Sequence, residues 1–275
     1  MRIVVLCSSP YSETACAMAA HLARRGHVPV GALTLPAAEK RTLMRKLGQL
    51  GLRASARYAW SKLGPKGSTK DGGINNPYFE EDLRFEGRVL LTLNEVASAY
   101  GFPVFTYRDQ NSPRAISRLR EWSPDLVIFT GGDILREEFL KVPRLGVVNS
   151  HLALLPEIRG MSSPEWSLLK DVPLGVTIHY MDTGIDTGPV LLRKEFSSAN
   201  ECASLTELRH RMIAFAVELV EGVVVGLKQG TISPRPQPDR DKDNQFFVMH
   251  DRLKSVAARR LRSLQLSAVA GKVDG

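Results

Sequence analysis

Hydrophobic positions follow two rhythms along this chain, and their alternation predicts an α/β protein. Residues 2–7 (RIVVLC) form a short β-branched apolar run. A polar loop over 8–12 follows, then apolar residues at helical spacing from Ala15 to Arg25, closed by Gly26. Val28 to Leu35 returns to strand character. The order then repeats, with a helix near 90–100, a strand near 103–106 and a helix near 113–122. Residues 125–130 (DLVIFT) form an unbroken apolar run, as expected for a strand covered on both faces. Gly146 to Asn149 predicts another short strand, Met161 to Lys170 a helix, and 176–181 and 190–196 two further strands. Ser204-Leu205-Thr206-Glu207 is a capping-box pattern. It opens a helix with the apolar stripe Leu205, Leu208, Met212, Phe215, Leu219, Val223 and Leu227, ended by Gly230. The segment from Ile232 is rich in proline and charge and leads into a basic helix from Asp251 to about Leu264. The expected fold is an open, mostly parallel, Rossmann-like sheet flanked by helices.

Residues 36–77 break this rhythm. They carry Lys40, Arg41, Arg45, Lys46, Arg53, Arg57, Lys62, Lys66 and Lys70 against Glu39 and Asp71. Leu43, Leu47, Leu50, Tyr58 and Leu63 could line one side of one or two helices, so a basic helical insertion is expected. A segment this long between α/β elements is more often functional than a plain connection. The expected organisation is a main domain over 1–230, interrupted by 36–77, and a short C-terminal extension over 231–275.

Composition narrows the class. A hydrophobic content of 43% over 275 residues excludes a disordered chain. Cys7, Cys16 and Cys202 show no metal-ligand spacing, so no metal is expected, and three sparse cysteines suggest a reduced compartment. No apolar run reaches the length of a membrane span, and 3–7 is too short for a signal sequence. A cytoplasmic protein without stable membrane insertion is therefore expected, and a homodimer is compatible with the sequence. The net charge of +8 favours anionic partners such as nucleic acid, phosphorylated metabolites or lipid heads. It is equally compatible with an ordinary basic surface.

The chemistry concentrates between Asp125 and Leu191. Asn149-Ser150-His151 is followed by LLPEIRG over 154–160 and by GVTIHYMDTGIDTG over 175–188. Singly, these residues are ordinary: an asparagine before a loop suits a turn, a lone histidine is usually structural, and Asp186 before Thr187-Gly188 fits a turn. Together they set an amide, an imidazole and a carboxylate on short loops between apolar runs. Such a group can stabilise an oxyanion and move a proton, each well-placed donor contributing roughly 3 to 4 kcal/mol.

In order, spacing and intervening glycines, PRLGVVNSHLALLPEIRG followed by GVTIHYMDTGIDTGPVL resembles the signature of the folate-dependent formyltransferases, methionyl-tRNA and sugar N-formyltransferases included. The resemblance implies the formyltransferase fold, 10-formyltetrahydrofolate as formyl donor, and Asn149, His151 and Asp186 as catalytic residues. It also implies that Gly131, Gly132, Asp133, Ile134 and Leu135, with Asp182, Thr183, Gly184 and Ile185, hold the pterin. Asp182 and Thr183 would be equally at home in an ordinary loop. Ser9, Tyr11, Arg159 and Gly160 are substrate-binding candidates. His179 alternates with apolar neighbours and reads as a core or supporting histidine rather than a third catalytic group.

Departures from the pattern bear on the acceptor. The loop over 8–13 lacks the glycines with which purine-synthesis members hold phosphate, which disfavours that role. Too few residues follow Gly230 for a standard OB barrel. The basic segment, with Arg45, Arg53, Arg57, Tyr58 and Trp60, lies where tRNA-acting members meet the acceptor stem. The leading expectation is N-formyl transfer to an amine of a small anionic acceptor, such as a nucleotide-linked amino sugar. The alternatives are a methionyl-tRNA formyltransferase-like enzyme with tRNA as partner, a formyltetrahydrofolate hydrolase, and a non-catalytic binding protein on the same fold.

Overall fold

A computed structural model describes residues 1–37, 74–238 and 244–270. Positions 38–73 of the basic insertion, including Arg45, Arg53, Arg57, Tyr58 and Trp60, lie outside the described residues. The chain divides into two compact units, one of Val4–Trp122 and Thr130–Ile134, the other of Met1–Ile3, Ser123–Phe129 and Leu135–Gly275.

The first unit contains β1 (Ile3–Cys7, shared at its first residue with the second unit), β2 (Gly31–Thr34), a short hairpin of β3 (Arg84–Phe85) and β4 (Arg88–Val89), and β5 (Val104–Thr106). Its helices are α1 (Glu13–Arg24), α2 (Glu80–Leu83), α3 (Leu93–Tyr100) and α4 (Pro113–Trp122). The second unit holds β6 (Leu126–Phe129), β7 (Gly146–His151), β8 (Arg159–Gly160), β9 (Gly175–Tyr180), β10 (Val190–Glu195) and β11 (Gln245–Phe246). Its helices are α5 (Glu137–Leu140), α6 (Ser163–Lys170), α7 (Leu205–Gln229) and α8 (Asp251–Ala270).

Seven strands form one sheet in the order β10-β9-β7-β6-β1-β2-β5. The β1/β2, β2/β5 and β6/β7 pairs are parallel, whereas β9 runs antiparallel to both β7 and β10. The fold is thus an open, mostly parallel α/β sheet flanked by helices, as the alternating pattern predicts. Every residue of β1 is buried, and burying each such aliphatic side chain contributes about 1.5 to 3 kcal/mol. Along α7 the buried positions Leu208, Met212, Leu219 and Val223 recover most of the expected stripe.

The differences from expectation have local causes. β2 begins at Gly31 instead of Val28, which is exposed. At Gly31 a Cβ would run into the Trp122 indole, so only glycine allows this approach. Helix α3 begins at Leu93 because Thr92 caps it, its hydroxyl accepting from the Glu95 N–H at 3.2 Å while Glu95 Oε2 accepts from the Thr92 N–H at 2.8 Å. Helix α6 starts at Ser163, with Pro164 in its first turn. The β3/β4 hairpin and the parallel β8/β11 pair escape the sequence reading because two-residue strands carry no period. Helix α8 runs past Leu264 to Ala270. Its Arg260 guanidinium donates to the Leu168 carbonyl at 3.1 Å and pairs with Asp171, which fastens α8 to α6. Among the described residues, no helix is long and apolar enough to cross a membrane.

Candidate active site

The site grows out of strand β7. Asn149 is the last β7 residue paired with β6, and from Val148 to His151 the strand is also paired with β9. Side chains two apart on a strand share a face, so Asn149 and His151 point the same way. The register sets His179 of β9 directly opposite Asn149. Asn149 Nδ2 donates to His179 Nε2 at 3.3 Å, and His179 Nδ1 donates to the Tyr180 carbonyl at 2.8 Å. The second N–H of the Asn149 amide is left for another acceptor.

Asp186 completes the group from the loop after β9. Its Oδ2 lies 3.4 Å from His151 Nδ1 and its Oδ1 lies 3.5 Å from His179 Nε2. The Gly160 N–H donates to Oδ2 at 2.8 Å. Asp186 has φ +52°, a left-handed conformation that costs an aspartate about 1 kcal/mol and that its hydrogen bonds offset. Gly160 has φ +89°, and a Cβ there would overlap the Phe246 carbonyl of β11. The Met161 N–H donates to that same carbonyl at 2.9 Å.

The electrostatics divide the roles. Burial pushes the His151 imidazole below its ordinary pKa, the Asp186 carboxylate partly opposes this, and His179 adds to the depression. Burial also works against ionisation of Asp186. The neighbouring His151 and His179 imidazoles and the Gly160 N–H outweigh it and hold the carboxyl below the usual range. At neutral pH the site is therefore a carboxylate beside a neutral His151. His151 Nε2 carries the proton, donated to the Ile158 carbonyl at 2.8 Å. The lone pair is on Nδ1, facing Asp186. A proton taken up at Nδ1 forms an imidazolium directly against a carboxylate.

The other candidates are distributed as follows. Asp182 Oδ1 accepts from the Gly184 N–H at 2.9 Å and the Thr187 hydroxyl at 2.6 Å, while Thr183 and Ile185 are exposed. Leu135 is buried in the unit that holds the trio. Gly131, Gly132, Asp133 and Ile134 belong to the other unit, as do Ser9 and Tyr11. There the buried Gln110 donates to the Cys7 carbonyl at 3.0 Å and accepts from the Asp133 N–H at 3.1 Å. Asn111 Nδ2 donates to the Ile134 carbonyl at 3.0 Å. Ser9 Oγ accepts from the Tyr11 N–H at 3.2 Å, and the Tyr11 ring is half exposed. Arg159 is buried, and one of its guanidinium nitrogens donates to Gln237 Oε1 at 3.1 Å.

Sequence reasoning passed over Gln110 and Gln237 altogether, since a single amide carries no motif. It reads His179 as a core or supporting histidine. His179 is indeed buried, and it also touches both Asn149 and Asp186. Among the described residues no cluster of His, Cys, Asp or Glu is arranged to hold a metal.

Comparison with known proteins bears on this arrangement. Residues 74–223, more than half of the chain, match the model of the Formyl transferase family. The chain belongs to the formyl transferase family. Over 149 residues it is 34% identical to the methionyl-tRNA formyltransferase of Pelobacter propionicus, covering 54% of this chain and 46% of that one. The methionyl-tRNA formyltransferase of Trichlorobacter lovleyi is 36% identical over 149 residues, 54% of this chain and 47% of its own. The chain thus spans about half the length of the curated relatives it matches. Glycinamide ribonucleotide transformylase 1 from Symbiobacterium toebii shares the fold with a TM-score of 0.55 at 17% identity, covering 86% of this chain and 94% of that one. The N-formyltransferase from Helicobacter canadensis, solved with folinic acid and dTDP-3-aminofucose, superposes with a TM-score of 0.51 at 16% identity, covering 90% and 71%.

Proposed function

We propose that this chain transfers a formyl group from 10-formyltetrahydrofolate to an amine of an anionic acceptor, a nucleotide-linked amino sugar being the first candidate. The observation that carries the reading is the convergence of Asn149, His151 and Asp186 in one unit, in a chain of the formyl transferase family. The donor set fits the group. A formyl oxygen needs an N–H donor as its charge grows, and the Asn149 amide keeps one free. The loops 131–135 and 182–185 are the segments that would hold the pterin.

The folate supplies an activated formyl carbon attached to a nitrogen leaving group. Asn149 Nδ2 donates to the formyl oxygen and stabilises the charge that develops there. As the new C–N bond forms, His151 Nδ1 takes the proton released by the attacking amine, and it returns that proton to the folate nitrogen as the old formyl C–N bond breaks. Asp186 stabilises the resulting imidazolium from 3.4 Å and fixes the ring orientation. No nucleophile from the protein is required, because the substrate brings its own amine.

A second reading is favoured by the curated relatives in hand, which are methionyl-tRNA formyltransferases. Under it the acceptor amine is that of a methionyl-tRNA, and the positive net charge serves phosphate contact. The deciding experiment follows 10-formyltetrahydrofolate consumption with purified protein, alone and with nucleotide-linked amino sugars or methionylated initiator tRNA. Turnover with one class names the acceptor. Turnover without any amine makes the chain a hydrolase. Binding of the folate without turnover under any condition, unaltered by His151→Ala, overturns the enzyme reading.

A further inference from the structure

We propose that Gln237 is a positioning residue that locks the Asp186 loop in its working conformation; the proposal rests on the reading of Asn149, His151 and Asp186 given above. Gln237 lies about 50 residues beyond Asp186 in sequence, outside the 74–223 stretch that matches the family model. Its Nε2 donates to two backbone carbonyls of the loop, Asp186 at 2.9 Å and Gly188 at 2.7 Å. Both amide hydrogens are thereby used. Its Oε1 accepts from the Arg159 guanidinium at 3.1 Å. Arg159 immediately precedes Gly160, whose N–H holds the Asp186 carboxylate. One side chain therefore grips the loop from its backbone side and the strand that grips it from its carboxylate side.

The amide is itself held in place. Pro236 and Pro238 flank Gln237 and restrict the backbone around it. Two residues earlier, Arg235 exchanges both backbone hydrogen bonds with Val190 at the start of β10, each 2.8 Å long. The segment 235–238 is in this way strapped to the strand that directly follows the catalytic loop. The strap helps hold Asp186 at φ +52°, a conformation that costs an aspartate about 1 kcal/mol. Releasing the two carbonyls lets Asp186 relax toward a right-handed conformation and swings its carboxylate away from His151 Nδ1.

The test uses Gln237→Met, which keeps the length of the side chain and removes every hydrogen bond. Gln237→Glu is the companion, since it preserves a partner for Arg159 and loses the donors to the loop. In both variants kcat should fall about 10²-fold while KM for the folate stays within about threefold, the pattern of a misplaced catalytic group in a site that still binds. The second readout needs no turnover. Histidine-ring NMR of Gln237→Met should show His151 titrating at lower pH than in the parent, because the carboxylate that favours its protonation has moved away. A general loss of stability would lower the folded fraction without moving that titration. An unchanged His151 titration, or kcat of Gln237→Glu within about twofold of the parent, overturns the proposal. If the parent itself proves inactive, the functional reading fails, and the NMR comparison still decides whether Gln237 positions Asp186.

Discussion

Replacing Asp186 by Asn tests the proton-handling half of the site directly. The substitution keeps a side-chain oxygen for the Gly160 N–H, which donates at 2.8 Å, so the loop retains that tether and the two hydrogen bonds from Gln237. What it removes is the negative charge 3.4 Å from His151 Nδ1. At an effective dielectric constant of about 20, a full imidazolium–carboxylate pair at that distance gains about 5 kcal/mol. Burial of both groups takes back a good part of this. A net loss of about 2 to 3 kcal/mol at the step that forms the imidazolium corresponds to a drop in kcat of about 30- to 160-fold. The assay is the absorbance change on folate turnover at saturating acceptor, measured from about pH 5 to 8. With His151 as the proposed base and its pKa depressed, parental activity should persist below the ordinary imidazole range and vanish as pH falls through that depressed value. The Asn variant lacks the carboxylate that opposes the depression. Its acid limb should therefore lie at still lower pH, beneath a lower plateau. A plateau within about threefold of the parent, or an acid limb displaced upward, would refute the pairing of His151 with Asp186 as the proton carrier.

Three further substitutions separate stability from chemistry. Gly160→Ala places a methyl group against the Phe246 carbonyl at a positive φ, and should cost at least about 2 kcal/mol in denaturant unfolding and more than about tenfold in kcat. Arg209→Ala removes the bidentate partner of Glu165, whose side chain is 4% exposed; a loss of about 3 kcal/mol in thermal unfolding is expected, with kcat per folded molecule unchanged. Gln110→Ala removes the hydrogen bonds it makes to the Asp133 N–H and the Cys7 carbonyl, and should raise KM for the folate by about five- to tenfold, read in initial rates, while kcat stays within about twofold.

The sequence makes the sheet legible because its strands are strongly apolar, as in β1 and β6, and its helices are signed at their ends. Ser204 caps α7 through the Glu207 N–H at 3.1 Å, and Gly230 ends it in a left-handed conformation, as the pattern predicts. The antiparallel β9 was expected as a strand, but its direction is set by pairing with β7, which no local pattern encodes. Asn149 and His151 could be singled out because the run from Asn149-Ser150-His151 onward resembles the formyltransferase signature. Asp186 could be singled out only together with its glycines. Gln237 could not be found, because its role arises from contacts to residues 49 and 51 positions earlier and its own surroundings read as a proline-rich connection. The same holds for β8 and β11, whose four residues matter only where they meet.

The β8/β11 pair also sets a timetable. Phe246 pairs with Gly160 across 86 positions of sequence. At synthesis rates of 5 to 20 residues per second, that interval amounts to roughly 4 to 17 s. During it Asn149 and His151 have already been made, yet the carbonyl that fixes the Gly160 turn has not. The same late-arriving stretch carries Gln237. A growing chain can thus build its sheet well before it becomes competent; in refolding from denaturant the whole chain is present, so no synthesis delay applies and only the order of docking is tested. Far-ultraviolet circular dichroism should recover first, and folate turnover should return only after the segment around residue 246 has docked.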